Sequence, residues 1–236
     1  MIQWREPGLL LRVNRQGEAN AVIDLFTRDH GRASGLVRGG ASRRMAPTLQ
    51  PGTELDAAWS ARIEGQLGTF RVEPIRARAA QVLGDRAALS ALNSVCALLV
   101  FALPEGAPHP RLHGATLALL DALNAPGWAP LYARWEALLL EEMGFGLDLS
   151  ECAATGETED LAYVSPKTGR AVSRIGGKGY EDVLLPLPPA LKGGAEGAAQ
   201  ALRTTGHFLE RHLAPSLGDR PLPEARDRLV RALSRA

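Results

Sequence analysis

The sequence predicts an α+β protein, with an N-terminal five-stranded OB-fold barrel over residues 1–78 and a helical domain over residues 79–236. Three observations carry this. Five short runs with strand character fill the first third of the chain, with one longer connection after the third. Beyond them the apolar positions change to three- and four-residue spacing. The charge divides at the same place: residues 1–78 hold 12 arginines and 8 acids, a net of +4, while the remainder carries −3 of the overall +1.

The strands are expected in order. Gly8–Val13 is a mostly apolar run, and Asn20–Thr27 a second, ended by a turn at Arg28–Gly31. Arg32–Arg38 is the third. Gly39–Gly52 connects it to the fourth, with a short turn at Ser42–Met45. Thr53–Arg62 has the clearest period of two, with Leu55, Ala57, Trp59 and Ala61 on one face and Glu54, Asp56, Ser60 and Arg62 on the other. A turn at Glu64–Gly65 leads to Leu67–Ile75, the fifth strand. An SH3-like barrel or a sandwich fragment has a similar pattern.

The helices follow. Asp85–Leu103 repeats Leu89, Leu92, Val95, Leu99 and Ala102 at helical spacing; Arg111–Asn124 and Pro130–Met143 come next, separated by Pro/Gly loops. The pattern changes after Gly144, where a short, polar, turn-rich stretch, Gly146–Gly177, interrupts it. Helix resumes at Ala195–Leu213 and again at Pro223–Leu233, where Glu224 near the start and Arg231 near the end match the helix dipole.

Composition sets the class. Hydrophobic residues at 45% and charged residues at 22% suit an ordinary globular protein. The first residues form neither a signal peptide nor a spanning helix, and Val95–Leu103 is too short to cross a bilayer. Two cysteines, Cys96 and Cys152, make no disulfide framework. The expectation is a cytoplasmic protein with reduced thiols and no membrane partner.

No catalytic constellation is found, so an enzyme is not expected, and no cofactor. Gly176–Gly179 lacks the spacing and the Ser/Thr of a phosphate loop, and Gly-x-Ser-x-Gly is absent. His207 and His212 stand five apart, which on an α-helix does not put two metal ligands on one face. The adjacent Glu141 and Glu142 point in different directions. The stretch His30–Met45 stands out instead, with four arginines, four glycines and no acid. A strand over Arg32–Arg38 delivers Arg38 to the barrel rim, Gly39–Gly40 lets the backbone approach a ligand, Arg43 and Arg44 follow on the loop, and Arg62 ends the fourth strand. Arg32, Arg38, Arg43, Arg44 and Arg62 are therefore the candidate phosphate-binding set, which gives affinity without sequence preference. A solvated basic loop is the plainer reading. Trp4, Phe26, Trp59 and Phe70 are the candidates for stacking on bases, with Trp59 at a core position of its strand.

The stretches EANAVIDLFTRDHGRASGLVRGGAS (Glu18–Ser42) and LQPGTELDAAWSAR (Leu49–Arg62) resemble the N-terminal domain of the RecO family of bacterial recombination mediators. The resemblance continues through Tyr132–Gly156, Leu161–Ser173 and Leu209–Arg231, in the family's order. It implies an OB-fold, a helical domain and a zinc-ribbon-like insert, here residues 147–177. It also implies binding of single- and double-stranded DNA, annealing of complementary strands, and action with RecR to load RecA on DNA coated by single-strand-binding protein (SSB). A protein-interaction adaptor, whose basic barrel binds an acidic partner, is the alternative.

The insert departs from the family. Many members carry a Cys-x-x-Cys pair at each end; here Cys152 remains, with Thr155, Ser173 and Gly176 at the other three positions. One thiolate cannot hold a structural zinc, so no metal is expected, and Leu161, Tyr163 and Val164 are the expected anchors. The resemblance further implies that the helix Pro130–Met143 receives the C-terminal tail of SSB. Its partner-binding candidates are Arg134, its only cation, with Trp135 and Leu138 on an apolar stripe that includes Leu131 and Leu139. The plainer reading pairs Arg134 with a neighbouring acid such as Glu141.

Overall fold

The computed structural model describes residues 2–63 and 65–234. It separates into two compact units. The first runs to Asn124 and takes in Pro223–Ala232; the second runs from Ala125 to Leu222.

Five strands close the barrel of the first unit: β1 (Ile2–Gln16), β2 (Asn20–Thr27), β3 (Gly31–Val37), β4 (Thr53–Ala61) and β5 (Gly68–Ala77). Their order around it is β1-β2-β3-β5-β4, and β3 and β5 are the parallel pair, which is the OB-fold. β1 is much longer than the apolar run Gly8–Val13, because it serves two partners. Its first half, Ile2–Leu9, pairs with β4, its second, Gly8–Gln16, pairs with β2, and a bulge between Leu10 and Arg12 turns one into the other. The polar first half carries Arg5 and Glu6, so hydrophobicity alone did not mark it as strand. Of the expected turn at Glu64–Gly65, Glu64 lies outside the described residues.

Leu10, Ile23, Leu25, Leu55, Ala57 and Phe70 fill the barrel, and Leu49 enters from the connection after β3. That connection is a series of turns, in which Met45 N–H donates to Ser42 O and Leu49 N–H to Met45 O. A single helical turn, α1 (Arg78–Gln81), follows β5; its Arg78 is buried between Glu54 (2.8 Å) and Asp121 (2.6 Å). Then come α2 (Arg86–Ala102), capped by the Asp85 carboxylate, and α3 (Pro110–Ala122). Cys96 of α2 is buried, and its S–H reaches Leu10 O at 3.9 Å.

In the second unit, α4 (Ala129–Glu142) packs on α5 (Ala198–Phe208). Between them in the chain lies a three-stranded sheet of order β7-β6-β8, from β6 (Leu161–Val164), β7 (Ala171–Ser173) and β8 (Leu185–Pro186). Glu136 is fully buried in α4 because it is satisfied there: Tyr132 Oη donates to it at 3.0 Å and Thr205 Oγ1 at 2.5 Å. Leu161 and Val164 are buried and Tyr163 half-buried, packed beside Gly177. After α5 the chain continues as a π-helix, Leu209–Leu213, then the short α6 (Ala214–Ser216). The last helix, α7 (Glu224–Leu233), belongs to the first unit up to Ala232. Among the described residues no helix is long and apolar enough to cross a membrane.

The π-helix corrects one expectation. Five residues on an α-helix separate two side chains widely, but the wider π turn brings His207 and His212 together. Both rings reach the same acceptor, Pro166 O, at 3.2 and 3.1 Å. They pin the β6–β7 turn to the helix. Among the described residues no group of three or more His, Cys, Asp or Glu side chains is placed to hold a metal.

Candidate nucleic-acid interface

The strand register builds an aromatic row across the barrel. Trp4 of β1 lies opposite Trp59 of β4, Trp59 opposite Phe70 of β5, and Phe70 opposite Val37 of β3. The Trp4 and Trp59 rings are near-parallel, 5.7 Å apart, and Phe70 meets Trp4 edge-on at 5.8 Å. On its other side Trp4 stacks on His30 at 4.4 Å. Trp59 Nε1 donates to Ser34 O at 3.1 Å, which fixes the indole. Two glycines paired across β3 and β5 make the room: a Cβ on Gly68 would stand 2.1 Å from the Trp59 ring, and one on Gly35 would stand 2.5 Å from Phe70.

This row lines an open cleft of about 980 Å³. Val37, Val72 and Met45 add apolar wall; Gln3, Ser60 and Thr69 add polar groups; Arg5, Arg38 and Arg71 supply charge. Arg5 is already committed, since its guanidinium grips Asp56 at 2.5 to 3.2 Å, and that hydrogen bond holds the Asp56 carboxyl below its usual range. Arg38 and Arg71 are exposed, and among the described residues neither has an acidic partner.

The five sequence-predicted arginines divide. Arg38 lies in the cleft, just past the end of β3. Arg43 and Arg44 are exposed on the loop that brings Met45 to the cleft wall, and Arg62 is exposed two residues beyond Ser60. Arg32 is placed differently. It is 14% exposed, with its Nη1 at 3.1 Å from the buried Asp24 and 3.4 Å from Glu105, and its Nε donating to Leu103 O at 2.9 Å. Asp24 also takes Arg12 Nε at 2.6 Å and Ser34 Oγ at 2.6 Å. Arg32 thus neutralises a buried carboxylate. Of the four aromatic candidates, Trp4 and Trp59 stand half-buried at the cleft, whereas Phe70 is 2% exposed and Phe26 fully buried in the core; Arg71 is the cleft residue the sequence left unassigned. The alternation Thr69, Arg71, Glu73 against Phe70 and Val72 marks Arg71 as a polar-face residue of β5, while the opposition of Trp4 to Trp59 needs the register.

In the second unit, Arg134 projects from α4 and its Nη1 donates to Ala190 O (3.0 Å) and Gly194 O (3.1 Å), not to Glu141. Its Nε and Nη2 find no acceptor among the described residues. Trp135 is buried against Tyr132, Leu139 is fully buried, Leu138 is half-buried, and Leu131 is 39% exposed. The stripe therefore faces mainly into its own unit.

The insert answers the metal question by its donors. The four positions at zinc-knuckle spacing do converge: Ser173 N–H donates to Cys152 Sγ at 3.2 Å, Thr155 and Ser173 hydroxyls stand 3.5 Å apart, and a Cβ on Gly176 would lie 2.9 Å from the sulfur. One sulfur, two hydroxyls and a glycine do not make a tetrahedral zinc site. Glu157 ties the knuckle, accepting from Thr155 Oγ1 (2.9 Å) and Ser173 Oγ (3.1 Å). Burial raises the Cys152 thiol, but the hydrogen bonds from Ser173, Thr155 and the Ala154 backbone outweigh it and bring the thiol down to about 6.

Comparison with known proteins gives a consistent result over the whole chain. Residues 1–78 match the family described as "Recombination protein O N terminal", and residues 83–221 match "Recombination protein O C terminal". Among curated proteins, the chain is 58% identical to a "DNA repair protein RecO" of Ruegeria sp. (strain TM1040) over 241 residues, 99% of each chain. It is 58% identical to that of Cereibacter sphaeroides (strain ATCC 17029 / ATH 2.4.9) over all of both chains, and 58% identical to that of Jannaschia sp. (strain CCS1) over 99% of this chain and 97% of the relative.

Proposed function

The chain belongs to the RecO family of DNA repair proteins, and from that premise we propose that it is a DNA-binding recombination mediator without catalytic turnover. It acts in the cytoplasm, binds single- and double-stranded DNA through the barrel, and anneals complementary strands. With RecR it helps load RecA on DNA coated by SSB. The observation that carries this is the cleft: an aromatic row with Arg38 and Arg71 beside it, both without acidic partners among the described residues, on a basic OB-fold barrel. Such free cations release condensed counterions when they meet phosphates, and exposed Arg43, Arg44 and Arg62 extend the field.

The SSB tail is assigned to α4 in the second unit. Arg134 keeps Nε and Nη2 for a terminal carboxylate while Nη1 holds the Ala190 and Gly194 carbonyls, and Leu131 and Leu138 offer the apolar contact. Trp135 contributes by fixing α4 from within.

Strand annealing of complementary oligonucleotides coated with SSB tests the reading. The expected result is annealing faster than the spontaneous rate. It should fall when Arg38, Arg43 and Arg44 are changed to alanine. A chain that neither binds oligonucleotides nor speeds their annealing is not a mediator.

A further inference from the structure

The π-helix Leu209–Leu213 takes no part in the proposed function. On an α-helix, side chains five apart diverge; here the wider turn sets His207 and His212 side by side, with ring centroids 6.0 Å apart. Both Nε2 atoms converge on one oxygen, the Pro166 carbonyl, at 3.2 and 3.1 Å. Phe208, 2% exposed, packs against both rings at 5.3 and 5.1 Å and restrains them. The carbonyl is restrained too, since Pro166 sits in the β6–β7 turn, closed by Gly169 N–H on Ser165 O at 2.9 Å. Both rings are half-buried, so a dissolved ion can reach them. Two imidazole nitrogens and one oxygen thus form a small triangle. Zinc bonds of about 2.0–2.1 Å at the tetrahedral angle set two ligand atoms about 3.3 Å apart, close to the N···O separations here. Imidazole suits zinc, nickel and copper, not magnesium or calcium.

We propose that His207 and His212, with the Pro166 carbonyl, bind a divalent transition ion of the zinc class, which clasps the β6–β7 turn to the helix. Each imidazole binds as the neutral ring. Its Nε2 gives up the hydrogen bond to Pro166 O and turns to the ion, and the proton passes through water to Nδ1, which has no hydrogen-bond partner among the described residues. Water completes the shell. Two imidazoles and a carbonyl hold such an ion in exchange with the medium, so the chain loses it on dialysis against a chelator. The knuckle around Cys152 meets the other end of the β6–β7 hairpin, at Ser173, and takes no part.

Equilibrium dialysis of the full chain, without a histidine tag and stripped by chelator, against a zinc chloride series tests this. One equivalent of zinc should bind, and an equal concentration of magnesium should not displace it. His207→Gln and His212→Gln each keep an amide that can donate to Pro166 O. Each should weaken zinc binding at least about tenfold, because losing a group that merely supports a ligand already costs about 10- to 100-fold. Cys152→Ser should bind zinc as the unaltered chain does. Bound zinc should also slow hydrogen exchange at the Gly169 amide, which reports the clasp directly. A chain that binds no zinc overturns the proposal. Undiminished binding in both glutamine variants, or its loss in Cys152→Ser, overturns it by placing the ion elsewhere. Exchange at Gly169 that zinc does not slow overturns the clasp.

Discussion

The barrel and the helical unit use arginine in opposite ways. In the barrel cleft, Arg38 and Arg71 stand exposed with no acid against them among the described residues. In the second unit, Arg134 spends its Nη1 on two backbone carbonyls, and the insert near Cys152 closes its own polar groups on one another. Even within the barrel the contrast recurs along one strand: Arg32 at the start of β3 is consumed by Asp24, and Arg38 just past its end is free. A cation's value for a ligand depends on what it already holds, and linear position does not report that.

The largest expected effect comes from the consumed arginine. Arg32→Ala leaves Asp24, 1% exposed, with Arg12 and Ser34 as its remaining side-chain partners, and strips the Leu103 carbonyl of a donor. Breaking one arm of a buried charge network costs about 2–4 kcal/mol. Chemical denaturation should show that loss, while DNA affinity of the folded fraction stays as it was. If affinity falls and stability does not, the division between structural and binding arginines breaks here.

The free arginines come second. Arg38→Ala with Arg71→Ala should leave the melting temperature nearly unchanged. Each removed phosphate contact should lower the salt slope by about 0.7 on single strands, which is roughly 1 kcal/mol apiece near 0.1 M salt. The loss should be alike for unrelated sequences. Arg43→Ala with Arg44→Ala should follow the same rule if the loop beside Met45 faces the same strand. An unchanged slope returns that loop to a solvated surface.

Arg134 is intermediate. Its alanine variant loses two charge-assisted bonds to Ala190 and Gly194, worth about 1–2 kcal/mol of stability together at a half-buried site. It should also weaken a peptide copy of the SSB tail by at least about 1 kcal/mol and leave affinity for bare DNA alone. Arg134→Lys separates the two roles, because a single ammonium cannot hold both carbonyls and a carboxylate in the guanidinium's fork. Tail binding undiminished in Arg134→Ala would make the residue structural only.

Much of this was legible in the sequence. The strand Thr53–Ala61 and the helices α2 to α4 fall within a residue or two of their periodic patterns, since each buries one face in one core. The first half of β1 was not legible, because its partner is β4, more than forty residues away, and its own residues are polar. The aromatic row was hidden for the same reason. Trp4 and Trp59 become neighbours only through register, and Gly35 and Gly68 acquire meaning only when the parallel pairing of β3 and β5 sets them opposite each other. The π-helix is the converse case: the spacing of His207 and His212 argued against a shared face, and a local change of helical pitch reversed it.

The smallest expected effect tests whether the insert is satisfied by its own groups. The Cys152 thiol is held down to about 6 in the folded chain against an ordinary value of 9.0. A group with a depressed folded value contributes stability that is complete above the unfolded value and is lost as pH falls through the folded one. The Cys152 contribution should therefore grow from pH 6 to pH 9. Cys152→Ser should flatten the rise in melting temperature over that window and leave the region below pH 6 nearly unchanged. The knuckle's donors fit hydrogen bonding and not a tetrahedral ion, so a chelator should leave the melting curve in place, and elemental analysis should find no stoichiometric zinc. About one zinc per chain, or a chelator that melts the protein, would mean that ligands from elsewhere complete the site. A pH profile that Cys152→Ser does not alter would instead place the thiol outside the interactions that hold the insert.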